Sequence, residues 1–169
     1  FLNIMNEWYV RDTSRKITAV LKTRGMSGKA HTNNRCCYGY KKSADNPDKW
    51  EIDEEAAEVV RRIFNMCLNG KGPYQIAREL AEDKVERPEY YLGMRGRGAN
   101  VKSFDMEHPY AWRGGTVKTI LTRMEYIGCT VNFRTKKESY KDKRPTKVDS
   151  SEWVIFENTQ EPIIDKHTW

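Results

Sequence analysis

Basic and hydroxyl side chains are the residues of this sequence best suited to chemistry, because together they bind phosphates and the edges of bases. The clearest set follows Gly114-Gly115, where Thr116 is a plausible N-cap and apolar residues recur at helical spacing. The polar face of this predicted helix presents Lys118, Thr119, Thr122 and Arg123. Such a face fits a DNA major groove about 12 Å wide, where Arg and Lys read guanine. A merely solvated basic face is the alternative interpretation.

Two further segments carry cations among small residues. The segment from Arg24 to Arg35 contains Lys29 and two glycines, as expected of an arm that follows a DNA backbone or minor groove, although a plain tether is the alternative. The glycine- and arginine-rich run at residues 93–98 suits either phosphate binding or a mobile loop. The residues predicted to bind DNA are Arg15, Lys22, Arg24, Lys29, Arg35, Tyr40, Lys41, Lys42, Arg95, Arg97, Arg113, Thr116, Lys118, Thr119, Thr122, Arg123 and Lys136.

The distribution of charge supports this prediction more strongly than the net charge of +6 does. Residues 1–42 hold nine Lys and Arg against two Asp and Glu, and residues 87–147 hold 14 against six. The segment between them is acidic, and so is the end of the chain. Two basic blocks separated by an acidic one are typical of a protein with one surface facing a polyanion. An ordinary basic protein with uneven charge is the other interpretation.

Catalytic and metal-binding motifs are absent from the sequence. It has no G-x-S-x-G turn, no HExxH motif, no P-loop and no arrangement of paired carboxylates. No two of the four cysteines have CxxC spacing, so we expect reduced thiols, with Cys67 and Cys129 in the core, rather than a structural zinc. We predict no catalytic residue, no metal site and no cofactor in this chain.

The elements that must position the basic residues are predicted from periodicity to give an α+β fold. A long helix covers residues 1–25, a basic linker covers residues 26–37, and a mainly helical domain covers residues 38–169. Two helices, one from Asp53 and one from Pro73, form a helix-turn-helix-like pair around Gly70 and Gly72.

The later part of this domain is predicted to contain a long irregular segment at residues 86–113 and then the basic helix described above. Residues 129–133 and 153–156 form a β-hairpin across a basic loop, and a last helix begins at residues 162–165. No apolar stretch is long enough to span a bilayer, and the start does not resemble a signal peptide, so we expect a cytoplasmic protein without membrane partners.

Five segments in this order resemble a known family. They are Asn6–Lys16, Tyr38–Lys42, Ile76–Leu80, Thr116–Gly128 and Glu161–Asp165. The first is similar to the long helix that leaves the catalytic domain of large serine recombinases, a group of phage-type integrases and mobile-element transposases. The other four resemble the recombinase DNA-binding domain that follows, and the resemblance covers nearly the whole chain.

The resemblance implies binding to one half-site of duplex DNA, with other recombinase subunits as partners in integration, excision or transposition. In the family an N-terminal domain cuts DNA through a phosphoserine link, and we expect that domain and the later zinc ribbon to lie outside this chain. Ser14 lies on the exit helix and is not the nucleophile. The chain departs from the family at Arg35-Cys36-Cys37, where glycine and proline are usual. A stand-alone helix-turn-helix regulator of transcription and an RNA-binding module are the alternatives.

Overall fold

A computed structural model describes residues 2–30, 35–97, 105–137 and 139–169 of the chain. The fold in these residues is α+β, as predicted, with a long first helix, a helical domain and three small antiparallel strand pairs. Its helices are α1 Leu2–Met26, α2 Glu54–Leu68, α3 Pro73–Glu82, α4 Pro88–Met94 and α5 Gly114–Leu121, with 3-10 helices at Met124–Ile127 and Ser150–Glu152. Its strands are β1 Tyr40–Lys42, β2 Trp50–Ile52, β3 Thr130–Asn132, β4 Thr135–Lys136, β5 Thr146–Lys147 and β6 Val154–Phe156. No helix in the described residues is long and apolar enough to cross a membrane.

The predicted pair of helices is present as α2 and α3. Helix α2 begins with Glu54 and Glu55, whose negative charges interact favourably with the positive end of the helix dipole. One apolar face of α2 is buried. It ends at a turn in which Gly70 adopts a left-handed φ of 84°. Helix α3 begins at Pro73, and the Gln75 side chain accepts a hydrogen bond from the Gly72 amide at 2.9 Å. Helix α5 packs mainly on α3 and also contacts α2.

The core joins this helical cluster to segments that are distant in sequence. Tyr40 and Tyr126 are among its largest fully buried side chains, and their rings stack 6.3 Å apart. The Tyr40 hydroxyl donates to the Glu161 carbonyl at 2.7 Å, and the Tyr126 hydroxyl donates to the Tyr38 carbonyl at 2.8 Å. Residues before α2, after α5 and near the end of the chain are therefore held in one core.

The predicted hairpin is confirmed, with narrower bounds, because β3 pairs antiparallel with β6. A second pairing joins β4 to β5 inside the segment that was predicted to be only a basic loop. A third joins β1 to β2, with Tyr40 opposite Ile52. Ile52 continues the apolar spacing of α2, but it belongs to β2.

The basic helix α5 is shorter than predicted. Arg113 is its N-cap residue, so Thr116 lies inside the first turn and is not the cap. The helix ends at Leu121, and the Thr122 hydroxyl bonds back to the Lys118 carbonyl at 2.9 Å. Threonine competes for backbone hydrogen bonds in this way and is a weak helix former. Arg123 therefore follows α5 and does not lie on its polar face.

Two other predicted elements are also wrong. The segment 86–113 contains α4, which Pro88 begins and which Tyr91 anchors in the core. No final helix forms at residues 162–169, because the Asp165 carboxylate accepts bonds from the backbone amides of His167 and Thr168 and closes a turn. Ile163 before this turn is buried in the core.

Helix α1 is attached to the rest of the chain mainly near its C-terminal end. The buried Asn132 amide donates to the carbonyls of Gly25 at 3.0 Å and Lys29 at 2.8 Å. Arg24 forms an ion pair with Asp48. Towards the other end, large side chains such as Trp8, which is 67% exposed, contribute nothing to the buried core.

The cysteines are free thiols in different environments. Cys129 is buried, as predicted, but Cys67 is exposed, because it lies in the last turn of α2 beyond the edge of the core. Burial raises the pKa of Cys36 to about 11 and that of Cys37 to about 12. A thiol with a pKa near 11 is roughly one-thousandth ionised at pH 8, and the thiolate is the reactive form.

We predict that deleting residues 1–20 leaves a cooperative unfolding transition with a melting temperature close to that of the whole chain. This deletion keeps the bonds from Asn132 to Gly25 and Lys29. Deleting residues 1–34 removes both acceptors and should lower the free energy of unfolding by about 1 kcal/mol or more. Thermal melts followed by circular dichroism measure both effects. Loss of the transition in the shorter deletion would show that α1 belongs to the folded core.

We also predict that iodoacetamide at pH 8 modifies Cys67 first. Cys37 and Cys129 should react only after the protein unfolds, and Cys36 should react slowly because burial holds its pKa high. Peptide mass spectrometry over a time course measures the rates, and the same reaction in denaturant is the control. Equal rates for Cys37 and Cys67 in the folded protein would contradict this interpretation.

Candidate nucleic-acid interface

The outer face of α5 carries two of the predicted DNA-binding side chains. Lys118 and Thr119 are exposed, whereas Val117 and Ile120 on the opposite face are buried. The Thr119 hydroxyl donates to the Gly115 carbonyl at 2.9 Å, so the oxygen remains an acceptor on its outer side. Within the described part of the chain, Lys118 has no ion-pair partner. This face can donate to a phosphate, and it can both donate to and accept from a base edge.

The N-terminal end of α5 adjoins the start of α4. Arg113 and Thr116 line a small cavity of about 110 Å³ together with Arg87 and Glu89, which pair at 2.9 Å. The exposed Tyr74 ring of α3 covers Gly114, where a Cβ would come within 2.7 Å of the ring. Sequence reasoning missed Tyr74, because its position beside Gly114 depends on how α3 packs on α5.

The largest group of predicted residues meets at a cavity of about 660 Å³, which lies between β1, α4 and the start of α2. Five predicted cations that are far apart in the sequence line it, namely Arg35, Lys41, Lys42, Arg95 and Arg97. The Arg95 guanidinium lies 3.6 Å from the centre of the Tyr91 ring and binds Glu55 at 2.9 Å. Arg97 binds Asp53 at 2.8 Å. Both described arginines of the glycine-rich run therefore make ordered contacts.

The acids in this cavity also bind Tyr91. Its hydroxyl lies 3.1 Å from both Asp53 and Glu55, and burial, followed by these contacts, raises the pKa of Tyr91 to about 12. The tyrosine is therefore a donor at neutral pH, and it fixes the two carboxylates that hold Arg95 and Arg97. An anion that enters the cavity meets cations in preset positions but must compete with these carboxylates.

Tyr40 also lines this cavity, but it is the most buried of the predicted DNA-binding residues. Its side chain is 1% exposed, and its hydroxyl donates to the backbone carbonyls of Glu161 and Glu125. In β1 the Tyr40 side chain is buried in the core, whereas Lys41 and Lys42 are exposed.

Arg35 and Arg123, predicted in different elements, line a second cavity of about 210 Å³. Arg134 lines it too, binding the buried Glu125 carboxylate at 2.9 Å and lying 5.0 Å from the centre of the Trp153 ring. Arg24 and Lys29 both bind Asp48 and do not line this cavity. The structure thus groups Arg35 with Arg123 and separates Arg24 and Lys29 from them.

The remaining predicted cations lie on α1 and on the pair formed by β4 and β5. Arg15 and Lys22 on α1 line a cleft of about 700 Å³ together with Lys137 and Lys141. Lys136 lies on β4 and is exposed but does not line that cleft. Sequence reasoning selected only Lys136 from this segment. It missed Lys137 and Lys141, since a basic run does not reveal which of its residues will face another element.

Among the residues that the structure describes, no three His, Cys, Asp or Glu side chains are grouped so that they could hold a metal ion. The side chains at these surfaces offer charge pairing and hydrogen bonding. Exposed lysine and arginine side chains supply the first, and hydroxyl and guanidinium groups supply the second.

Comparison with known proteins identifies the family of the chain. No solved structure matches the chain. Residues 54–169 match the family model described as Recombinase, which covers every described element from α2 to β6. This match agrees with the resemblance that the sequence motifs indicated and gives the chain a role related to recombination. Since the matched region is more than half of the sequence, the chain belongs to the Recombinase family.

Proposed function

We propose that this chain binds one half-site of a recombination site in duplex DNA. The observation that carries the proposal is a single cavity, named the cation cavity here. Its cations converge from three separate segments and are Arg35, Lys41, Lys42, Arg95 and Arg97. Phosphate contacts set the register of a protein on DNA, and preset cations are suited to that role. Membership in the Recombinase family supports DNA as the polyanion.

In this proposal the outer face of α5 reads bases. Lys118 and Thr119 are exposed on a helix whose opposite face is buried against α3 and α2, and a helix presented in this way fits the major groove. The more extensive packing of α5 on α3 favours these two helices, rather than α2 and α3, as the helix-turn-helix-like unit. Arg113 and Thr116 at the start of α5 would contact the flanking phosphates.

The activity of the parent protein follows from the same proposal. The chain supplies DNA recognition, and the breaking and rejoining of strands belongs to a serine recombinase of which it is a part. Its partners are then the attachment site or transposon end and further subunits of the recombinase. Two half-sites bound by two subunits place the exchange point between them.

The first test of the proposal is the salt dependence of binding. If about six phosphates are contacted, the logarithm of the association constant should fall with the logarithm of salt concentration with a slope of about −5. Fluorescence anisotropy with a duplex selected by this protein from a random library measures the slope. A slope near zero would reject phosphate binding, and tighter binding to single-stranded RNA of equal length would favour the RNA alternative.

The second test separates base reading from phosphate contact. Lys118→Ala should cost about 1–3 kcal/mol on the selected duplex and much less on random duplex. Lys41→Ala is the matched control and should weaken binding to both duplexes alike, because Lys41 lines the cation cavity. Arg123→Ala should behave like the control, since Arg123 lies beyond α5. Equal losses for Lys118→Ala on both duplexes would reduce Lys118 to a phosphate contact.

A further inference from the structure

The cleft between α1 and the pair of strands β4 and β5 has a strongly basic lining. Among the described residues that line it, the charged ones are Glu7, Arg11, Arg15, Lys22, Lys137 and Lys141. Five of these six are cations, and Ser14, Thr18 and Ser139 add hydroxyl groups. A cleft of about 700 Å³ with this lining suits a polyanion much larger than a single phosphate.

One face of α1 forms a wall of this cleft. Arg11, Arg15, Thr18 and Lys22 recur at intervals of three, four and seven residues, which keeps them on one side of the helix. At 1.5 Å per residue they extend over about 16 Å. Duplex DNA rises about 3.4 Å per base pair along its axis, so this wall spans roughly five base pairs measured along that axis.

An acidic residue of α1, Glu7, contacts the opposite wall of the cleft. The Glu7 carboxylate accepts from the Lys141 ammonium at 2.8 Å and from the Tyr140 hydroxyl at 3.2 Å. These two bonds lower the pKa of Glu7, so the carboxylate is charged at neutral pH. A phosphate that entered the cleft would therefore compete with Glu7 for Lys141.

We propose that this cleft binds a sugar-phosphate strand of duplex DNA and that Glu7 occupies Lys141 until a phosphate replaces it. The inference rests on the proposed function and extends it to a surface that α5 and the cation cavity do not include. Glu7 then acts as an internal competitor that weakens binding at this surface. Removing its charge strengthens binding, whereas removing Lys137 and Lys141 weakens it.

The experiment measures duplex affinity and salt slope for the whole chain. Glu7→Gln should raise affinity at low salt by about threefold or more, because the ammonium of Lys141 becomes free. Glu58→Gln, an exposed acid of α2 that lines none of the described cavities, is the control with the same change in net charge and should have a smaller effect. Lys137→Ala with Lys141→Ala should reduce the magnitude of the salt slope by about two.

A double-mutant cycle distinguishes this mechanism from general electrostatics. Glu7→Gln should give almost no gain when Lys137 and Lys141 are already alanine, since Glu7 acts through Lys141. A gain that persists in that background, or one equal to that of Glu58→Gln, would overturn the proposal. These side chains are exposed, so thermal melts should show that every variant folds.

The outcomes also separate this inference from the proposed function. If Lys118→Ala abolishes the preference for the selected duplex while the Glu7 and lysine variants bind as the wild type does, the cleft is not a DNA site and half-site binding stands. If the wild-type chain binds no duplex at any salt concentration, both proposals are wrong. If the cycle shows coupling and Lys118→Ala has no effect on preference, the cleft binds DNA and α5 does not read it.

Discussion

The phenol hydroxyls of Tyr40 and Tyr126 are buried, and each donates to a backbone carbonyl from a distant part of the chain. A buried donor without an acceptor costs about 1–3 kcal/mol, so these bonds allow little freedom in how the segments meet. Tyr126 lies in the 3-10 helix directly after α5, and Tyr40 begins β1. Their bonds therefore fix the end of α5 relative to the strand that carries Lys41 and Lys42. The outer face of α5 and the cavity that Lys41 and Lys42 line, both proposed to contact DNA, are thus positioned by one buried polar network.

The close packing around these tyrosines explains two glycines. Gly39 has a φ of 99°, and a Cβ there would come within 2.9 Å of Ile163. Gly128 has a φ of 85°, and a Cβ there would lie 2.8 Å from the Gln160 carbonyl oxygen. Both positions need a left-handed backbone and the absence of a side chain. The C-terminal segment can thus lie against the residues that follow α5, which brings the Glu161 carbonyl to Tyr40.

Helices α2 and α3 were predictable because their apolar residues recur at helical spacing and glycine and proline mark their ends. The pairing of β3 with β6 was predictable from two apolar strands on either side of a polar segment. The site was predictable only as a set of residue types. The local sequence around Tyr40 does not show whether this side chain faces DNA or the core. The Glu161 carbonyl, which accepts from the Tyr40 hydroxyl, fixes the side chain in the core. The sequence left a mobile loop open for Arg95 and Arg97. The residues that bind these arginines and hold them in place, Glu55 and Asp53, lie about 40 residues earlier in the chain.

Acidic residues recur beside the cations of the proposed interface. Asp48 binds Arg24 and Lys29, Glu55 binds Arg95, and Glu7 binds Lys141. Each pair holds a long side chain in place, which reduces the side-chain entropy lost on binding, but each also requires a phosphate to displace a carboxylate. In the proposed complex, the smaller loss of side-chain entropy favours DNA whose phosphates lie opposite the cations. The need to displace a carboxylate weakens contacts with DNA that is out of register. Since the exposed pairs are weak and screened by salt, displacement costs little where several phosphates arrive together. A surface of this kind discriminates between DNA positions by the number of phosphate contacts made at once. Helix α1 can add to that number without disturbing the core, because it is attached mainly near Gly25 and Lys29.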